Sequence, residues 1–256
     1  MFNIDANAMR TAKKTVGEKT KGVILQTALE LFRRRGFEVT TMRDIARAAK
    51  VATGAAYHYF PGKEAIVAAY YDQVQRLHAE KAREQLKGKA GLRERLGVVT
   101  HSKLEILKDD RMFLGALFRY TGDPGHGLSM FGKGTQLQRG HSVEIFQEAI
   151  AGTNVSEELQ QLLPWALWLG HLGMILVLIY DETEGQQRTH QLVDGMLDLL
   201  TQLVELTSSA LVRPFVQPFQ TKMLGMLREA GWTTGIGEFS KSVKQANPNF
   251  GIEEER

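Results

Sequence analysis

The segment from Thr40 to Lys63, TTMRDIARAAKVATGAAYHYFPGK, constrains the fold more than any other part of the chain. Thr41 and Asp44 stand three residues apart at the start of a short apolar run, which is the pattern of a capping box at a helix N-terminus. Lys50 lies in the turn that follows, and a second short helix then runs until Pro61 ends it. Helices this short are not stable alone in water. The segment therefore predicts a helix-turn-helix unit that is held by flanking helices.

Two longer amphipathic helices are predicted to flank this unit. From Lys21 to Arg35, apolar residues recur on one helical face, and Gly36 follows as a residue type that favours the left-handed C-terminal cap. A second long helix starts after Pro61 and extends to about Leu86. The chain beyond it continues as one apolar helical pattern after another, separated by turn-forming breaks. No segment has the alternation of a strand, so we predict an all-α fold.

The charge of the chain is unevenly distributed. Residues 1–80 contain 13 Lys and Arg against 8 Asp and Glu, a net charge of +5, whereas the remaining residues carry −2. A basic excess beside a helix-turn-helix is typical of a surface that binds a polyanion. The chain contains no cysteine, which excludes a disulfide framework, a thiolate nucleophile and a Cys-based metal site. The N-terminus lacks the apolar core of a signal peptide, and we expect a cytoplasmic protein.

The residues from Lys21 to about Tyr71 match one known pattern without gaps. The matching runs are Ala28-Leu29-x-Leu31-Phe32, Gly36-Phe37, Thr40-Thr41-x-x-Asp44-Ile45-Ala46 and Val51-x-x-Gly54-x-x-Tyr57-x-Tyr59-Phe60-x-x-Lys63-Glu64. This stretch resembles the DNA-binding domain of the TetR/AcrR family of transcriptional regulators. The resemblance implies an N-terminal three-helix helix-turn-helix domain, followed by a C-terminal helical ligand-binding and dimerisation domain. It implies no cofactor.

Three residues depart from the family pattern. Lys50 stands where the family usually has Gly, and a non-Gly residue in a left-handed turn costs roughly 1–2 kcal/mol. Ala52 stands where Ser is common, so the second helix is expected to lack a side-chain cap, a loss of about 1 kcal/mol. Ala56 replaces a larger aliphatic residue, and its neighbours must fill the space. None of the three removes an expected DNA contact.

The expected domain organisation has four parts. Residues 1–19 are polar and basic and are interpreted as a flexible arm. Residues 20–66 form the DNA-binding domain, and residues 67–212 form the helical effector-binding and dimerisation domain. Residues 213–256 are expected to add one amphipathic helix and a poorly ordered tail.

Resemblance and chemistry together assign the candidate DNA contacts. A hydroxyl and free N–H groups at a helix N-terminus can hold a phosphate, and an exposed arginine can reach a phosphate or a guanine edge. A glycine at the start of the second helix permits close approach of the backbone. The expected DNA-binding residues are Thr41, Arg43, Thr53, Gly54, Tyr57, His58 and Lys63. For His58 a solvated surface position stays open as an alternative, while Tyr59 and Phe60 are interpreted as core.

The stretch from Leu162 to Tyr180 is long and apolar and has two interpretations. It contains 19 residues without a formal charge if His171 is neutral, so its length just permits a membrane span. However, Pro164 lies inside it and no basic flank orients it, which favours a helix that is buried on all sides. We expect the helices near 160–181 and 187–211 to form a homodimer interface. A membrane-anchored DNA-binding sensor using 162–180 is the alternative.

The C-terminal helices are expected to enclose an effector pocket because the resemblance implies one. Candidate lining residues are Phe113, Phe118, Tyr120, Phe146, Trp168 and His171. Such a lining favours an apolar or amphipathic small molecule. The pairs His101/Glu105 and His141/Glu144 have helical spacing that suits a metal, but the preferred interpretation assigns no metal site. No acid–base constellation or phosphate loop indicates an enzyme.

These observations predict a homodimeric transcriptional regulator, more specifically a repressor. Two recognition helices about one DNA turn apart, roughly 34–36 Å, would read a palindromic double-stranded DNA operator. A small-molecule effector in the C-terminal domain would release the protein from DNA by shifting its conformational equilibrium.

Overall fold

The computed structural model describes residues 16–123 and 125–229, and within these residues the regular structure is helical. The ten α-helices in this part of the chain are α1 Val16–Arg35, α2 Met42–Ala48, α3 Thr53–Tyr59, α4 Lys63–Leu86, α5 Leu92–Leu107, α6 Arg111–Phe118, α7 Gln136–Ile150, α8 Glu157–Tyr180, α9 Gln187–Ser208 and α10 Arg213–Glu229. Short 3₁₀ turns occupy Lys108–Asp110, Lys133–Thr135 and Glu184–Gln186. The predicted all-α fold is confirmed.

The first three helices form a small bundle around an apolar core. Helix α1 buries one face, including Ile24 and Phe32, and packs against α2 and α4. It begins at Val16, so the last four residues of the segment predicted as a flexible arm, 16–19, are helical instead. The rest of that predicted arm and the predicted tail after residue 229 lie outside the described residues.

Local chemistry explains how α2 ends and α3 begins. The N–H of Val51 donates to the carbonyl of Ala46, and the N–H of Lys50 donates to that of Arg47, which closes α2 in a Schellman motif. Lys50 takes the left-handed position of this motif with φ of 56°. Ala52 is the N-cap residue of α3 and provides no side-chain cap. Both weak points expected from the sequence are therefore present.

The larger helical region is assembled from α4 to α10. Helix α5 contacts α4, α7 and α9, and α8 contacts α6, α7, α9 and α10. Helix α4 runs without a break from the small bundle into this region. The domain boundary expected near residue 66 stays a prediction, since the same helix belongs to both parts.

The connection between α8 and α9 is fixed by Asp181. Its carboxylate accepts hydrogen bonds from the backbone N–H groups and the hydroxyls of Thr183 and Thr189, at 2.6–3.0 Å. Gly185 and Gln186 take left-handed conformations in the same turn. These bonds define the path of the chain from α8 into α9.

Helix α8 is the one helix within the described residues that is long and apolar enough to cross a membrane. Its mean hydropathy reaches 2.0, and half of that window is buried inside the molecule. It lies against α6 and α7 and lines an internal cavity. Packing within the protein thus accounts for about half of this apolar stretch, which favours the core-helix interpretation over the membrane anchor.

Candidate DNA-binding surface and internal cavity

Helix α2 presents a capped N-terminus and an exposed arginine on the outer surface of the bundle. The hydroxyl of Thr41 accepts the backbone N–H of Asp44 at 3.2 Å, and the Asp44 carboxylate accepts the Thr41 N–H at 3.1 Å. The hydroxyl also donates to that carboxylate at 2.6 Å, and these bonds lower the pKa of Asp44. Arg43 is exposed, while Met42 and Ile45 on the inner face are buried. Arg43 is therefore available to an external partner.

Helix α3 is exposed along nearly its whole length. Ala56 is its only fully buried residue, and the side chain of Tyr57 is 49% accessible. Thr53, Gly54 and His58 are also exposed. A methyl group added at Gly54 would meet nothing within 4 Å, so packing inside the protein does not require glycine there. This outward surface suits the close approach of a large external molecule.

Lys63 has a structural role that the sequence did not predict. Its ammonium donates to the carbonyls of Phe37 and Glu38, at 2.6 and 3.1 Å, and lies 4.4 Å from the centre of the Phe37 ring. The side chain thereby ties the start of α4 to the segment between α1 and α2. An ammonium group has three N–H donors, so one is left to contact a phosphate.

A buried carboxylate links the small bundle to the larger region. Asp110 is 4% exposed and accepts a hydrogen bond from Arg33 of α1 at 2.5 Å and one from the Tyr70 hydroxyl of α4 at 2.8 Å. The bond to Asp110 helps to raise the pKa of Arg33. Burial, followed by the Asp110 charge, raises the pKa of Tyr70. These three groups join helices that belong to both parts.

Helix α6 also packs directly on the small bundle. The ring of Phe113 stacks on Phe32 at 5.4 Å between centres and lies 6.4 Å from Phe37. Phe113 is 1% exposed, so this contact is part of the continuous core. The next turns of α6 carry Leu114, Leu117 and Phe118, which line the cavity described below. One short helix therefore touches both the cavity and the bundle.

The larger region contains a partly enclosed internal cavity of about 70 Å³. Helices α4 to α8 and the segment between α6 and α7 contribute to its walls. The lining residues are Tyr70, Tyr71, Val74, Gln75, Lys103, Leu107, Leu114, Leu117, Phe118, Thr121, Met130, Gln138, Ser142, Trp168, His171, Leu172 and Ile175. Most of the wall is apolar, and a few polar groups are concentrated on α4, α5, α7 and α8. This composition is typical of a small-molecule binding site.

The six predicted pocket residues divide into two groups. Phe118, Trp168 and His171 line the cavity. Phe113, Tyr120 and Phe146 do not, so the sequence-based assignment of these three is corrected.

The three residues outside the cavity wall contact different parts of the molecule. Phe113 packs towards α1, as described above. Tyr120 donates its hydroxyl to the carboxylate of Glu38 and stacks on His126. Phe146 is 2% exposed and lies behind His171, with the ring centres 5.9 Å apart.

The polar groups of the cavity were missed by the sequence analysis, apart from His171. Lys103 is 4% exposed and Gln138 is 7% exposed. A signal was present in the sequence, since Lys103 continues the buried face of α5 at helical spacing from Leu96 and Val99. A charged residue on an otherwise buried helical face is an indication of function that hydrophobic periodicity alone does not reveal.

The histidines considered for metal binding have other partners. His101 lies 2.8 Å from His190 between ring nitrogens and 3.0 Å from a carboxylate oxygen of Asp194. Burial lowers the pKa of His141. Among the described residues, no group of three or more His, Asp or Glu side chains has an arrangement that could hold a metal ion.

Comparison with known families gives two matches along the chain. A model of bacterial regulatory proteins of the tetR family matches residues 24–70, and a model of a tetracyclin repressor-like C-terminal domain matches residues 95–218. The two matches together cover about two thirds of the chain.

Individual relatives match mainly the helix-turn-helix part. The HTH-type transcriptional regulator YuxN of Bacillus subtilis is 43% identical over 60 residues, which are 22% of this chain and 20% of YuxN. The HTH-type transcriptional repressor KstR2 of Rhodococcus jostii is 45% identical over 51 residues, 20% of this chain and 24% of KstR2. The chain thus spans a fifth to a quarter of the length of these relatives. The fold itself is similar to that of a TetR transcriptional regulator from Nitrosomonas europaea, with a TM-score of 0.57, 18% identity, and coverage of 70% of this chain and 96% of the other.

Proposed function

The chain belongs to the TetR family of bacterial regulatory proteins, and from this premise we propose that it is a DNA-binding transcriptional regulator that responds to a small molecule. The observation that carries the proposal is the exposed helix-turn-helix surface formed by α2 and α3. The larger helical region of the same chain contains a mostly apolar cavity, which supports a response to a small molecule. We propose that it acts in the cytoplasm and represses transcription. Its relative KstR2 is named a transcriptional repressor, which supports the second point.

In the proposed complex, α3 lies in the major groove of duplex DNA. Thr53 and Gly54 stand at the N-terminal end of α3, where base edges are reached, and Tyr57 and His58 lie one turn further along. Arg43 and the capped N-terminus of α2 contact the backbone beside the groove, and Lys63 does so from α4 through its remaining N–H. The exposure of these groups supports this arrangement, since none of them except Lys63 is engaged in tertiary contacts that would prevent it.

A homodimer through α8 and α9 would pair two such surfaces. Helix α9 has two apolar faces: one is buried against α5, and the other is exposed. The exposed face consists of Leu192, Met196, Leu199, Leu203 and Leu206, all more than 40% accessible. On α8, Leu169, Leu176 and Tyr180 are exposed at helical spacing. A second copy of this chain is the partner that would cover both faces symmetrically.

The effector would act through α6 and α4. Both helices line the cavity, and both contact the bundle, α6 through Phe113 and α4 through its own N-terminal turns. A ligand that favours one packing of α6 would therefore favour one position of α1 and, with it, of α3. A coupling free energy of about 1–3 kcal/mol suffices to change operator affinity 5- to 150-fold.

The test is the selection of operator sequences from a random duplex library by the purified protein, followed by fluorescence anisotropy titration at several salt concentrations. We expect the selected sequences to contain an inverted repeat, and the affinity to fall steeply with salt because phosphate contacts release counterions. Absence of an inverted repeat, or an affinity that does not change with salt, contradicts the proposal.

A matched pair of arginine variants makes the test specific to the helix-turn-helix surface. Arg43→Ala is expected to weaken operator binding 10- to 100-fold, since one phosphate or base contact contributes about 1–3 kcal/mol. Arg76→Ala removes an arginine of α4 that is also exposed and pairs with Glu80, and it is expected to leave operator binding unchanged. Equal effects of the two substitutions would place the DNA elsewhere.

A further inference from the structure

The cavity contains a buried lysine whose charge has no counter-ion in the part of the chain that the structure describes. Lys103 of α5 is 4% exposed, and its ammonium donates one hydrogen bond, to the side-chain oxygen of Gln75 at 2.9 Å. No carboxylate of the described residues lies within 4.0 Å of it. Two of its three N–H donors therefore have no acceptor within residues 16–123 and 125–229. Buried charges are normally paired, because an unpaired one is expensive to remove from water.

The ionisable groups near Lys103 do not compensate its charge. His78 of α4 and His171 of α8 are both buried, and burial together with the Lys103 charge lowers their pKa values to about 2 and about 3. Tyr71 of α4 also lines the cavity, and burial raises its pKa. All three are therefore neutral at pH 7. Burial lowers the pKa of Lys103 itself to about 7.

Two further polar groups of the cavity lack partners. Neither ring nitrogen of His171 has a hydrogen-bond partner among the described residues, and neither has the side-chain oxygen of Gln138. Gln75, which holds Lys103, is itself fixed by a bond to the Ser142 hydroxyl at 2.5 Å. The polar end of the cavity is thus positioned by the fold and has donors and one amide acceptor without partners among the described residues, and unpaired buried groups of this kind are rare in native proteins.

From this geometry we infer that the effector is an apolar molecule bearing a single carboxylate, which pairs with the Lys103 ammonium while its apolar part fills the rest of the cavity. The inference deepens the proposed function and rests on it. One carboxylate balances the one lysine, whereas a phosphate dianion would leave an uncompensated buried charge. The apolar wall formed by Leu114, Leu117, Phe118, Trp168, Leu172 and Ile175 would hold the remainder of the ligand.

The experiment compares acids with alcohols of the same carbon skeleton. Decanoate and 1-decanol form one pair of probes, and 4-phenylbutyrate and 4-phenylbutan-1-ol form the other. Binding is measured by isothermal titration calorimetry at pH 6.5 with the full chain and with two variants, Lys103→Met and Lys108→Met. Lys108 is an exposed lysine that pairs with Glu105 outside the cavity, and its substitution is the matched control.

We expect the wild-type protein to bind at least one acid ten-fold or more tightly than its alcohol. Lys103→Met should abolish that preference while leaving the affinity for the alcohol unchanged or higher, and Lys108→Met should leave both unchanged. Equal affinities for acid and alcohol, a preference that survives Lys103→Met, or no binding of either acid overturns the inference.

A second measurement needs only the wild-type protein, in case Lys103→Met does not fold. Between pH 6.5 and pH 9.5 the affinity for the acid should fall by up to ten-fold per pH unit above the lysine pKa, while that for the alcohol should not. A flat profile for the acid also overturns the inference. Operator binding is measured separately without effector: DNA binding without acid preference rejects this inference alone, and acid preference without DNA binding rejects the proposed function.

Discussion

In the helix-turn-helix unit, polar side chains lie on the surface or are satisfied by near neighbours, whereas in the larger helical region several buried polar side chains have donors or acceptors that no described residue satisfies. Thr41 and Asp44 satisfy each other across three residues. Lys103, Gln138 and His171 come from three different helices and leave donors or acceptors unused. The first region therefore offers its exterior to other molecules, and the second offers its interior.

The two regions also differ in how much apolar surface they expose. The small bundle buries nearly all of its large apolar side chains, apart from residues such as Val23, Val39 and Tyr57. The larger region exposes long apolar stripes on α8, α9 and α10, with Phe215 and Phe219 of α10 each more than 70% accessible. Scattered apolar residues need no explanation, but continuous stripes indicate a missing partner.

The largest expected effect tests whether the region remote from DNA is needed for DNA binding. Leu203→Glu introduces a charge into the exposed stripe of α9 and should prevent association of two copies. Loss of the second half-site contact should then weaken operator binding by about 10²–10⁴-fold. Sedimentation velocity and anisotropy titration measure the two effects.

The matched control for this prediction is Gln191→Glu on the polar face of α9. It adds the same charge outside both apolar stripes and should leave the protein dimeric with normal affinity. If Leu203→Glu remained a dimer, the proposed interface would be wrong. If it were monomeric yet bound the operator with normal affinity, DNA binding would not depend on association through the larger helical region.

The second prediction concerns how burial of Lys103 makes the stability of the protein depend on pH. Since the pKa of Lys103 is lowered to about 7, the unfolded chain binds more protons than the folded one between pH 7 and the ordinary lysine pKa. The free energy of unfolding should therefore rise with pH in this window, by up to about 1.4 kcal/mol per unit, and should be lower by a few kcal/mol at pH 7 than at pH 10.

Urea unfolding of the wild type and of Lys103→Met between pH 6 and pH 10 measures this effect. The variant should lose the slope and be more stable than the wild type at pH 7, because it no longer buries a charge. Lys108→Met serves again as the control and should retain the slope. A Lys103→Met protein that is less stable than the wild type at pH 7 would mean that the lysine has a stabilising partner, and the contrast between the two regions would fail.

A smaller effect is expected where the two regions meet. Asp110→Asn keeps an acceptor for the Tyr70 hydroxyl but removes the charge that pairs with Arg33. We expect a destabilisation of about 1–2 kcal/mol, since the arginine side chain is 38% accessible and solvent screens the pair. Asp109→Asn, at an exposed neighbouring position, should be neutral in the same chemical unfolding measurement. If Asp110→Asn left the free energy of unfolding unchanged, the Arg33–Asp110 pair would not contribute to the link between the regions.

The smallest effect concerns the turn between α2 and α3. Lys50→Gly replaces a side chain in the left-handed conformation and should stabilise the protein by about 1 kcal/mol. Ala48→Gly, two residues earlier and within the helix, should instead destabilise it by about 1 kcal/mol. Thermal unfolding distinguishes the two, and the same sign for both would mean that the turn does not take the left-handed form in solution.

Several features were predictable because they depend on residues close together in the chain. The capping box of Thr41, the left-handed turn at Lys50, the missing cap at Ala52 and the exposed face of α3 all follow from interactions within a few residues. The start of α1 was missed because Val16 to Thr20 lack an apolar stripe, although Thr20 bonds back to the Val16 carbonyl.

The cavity could not be predicted in the same way. Aromatic residues on helices were expected to line it, but their direction depends on which helix lies opposite. Phe113 faces α1 instead of the cavity, and Phe146 lies behind His171. Likewise, the sequence could not show that the ammonium of Lys63 is held by the carbonyls of Phe37 and Glu38.

Local sequence is enough to predict the helical fold, the helix-turn-helix and its outward residues, because helix periodicity, capping and turn conformation are local properties. The packing of the helices is needed to show which side chains enclose the cavity, that Lys103 is buried in it with no counter-ion among the described residues, and that α6 touches both the cavity and α1. These facts depend on contacts between helices that are distant in the chain. Whether the charge of a lysine is solvated or buried without compensation depends on its neighbours in space, and its position in a helical pattern does not determine it.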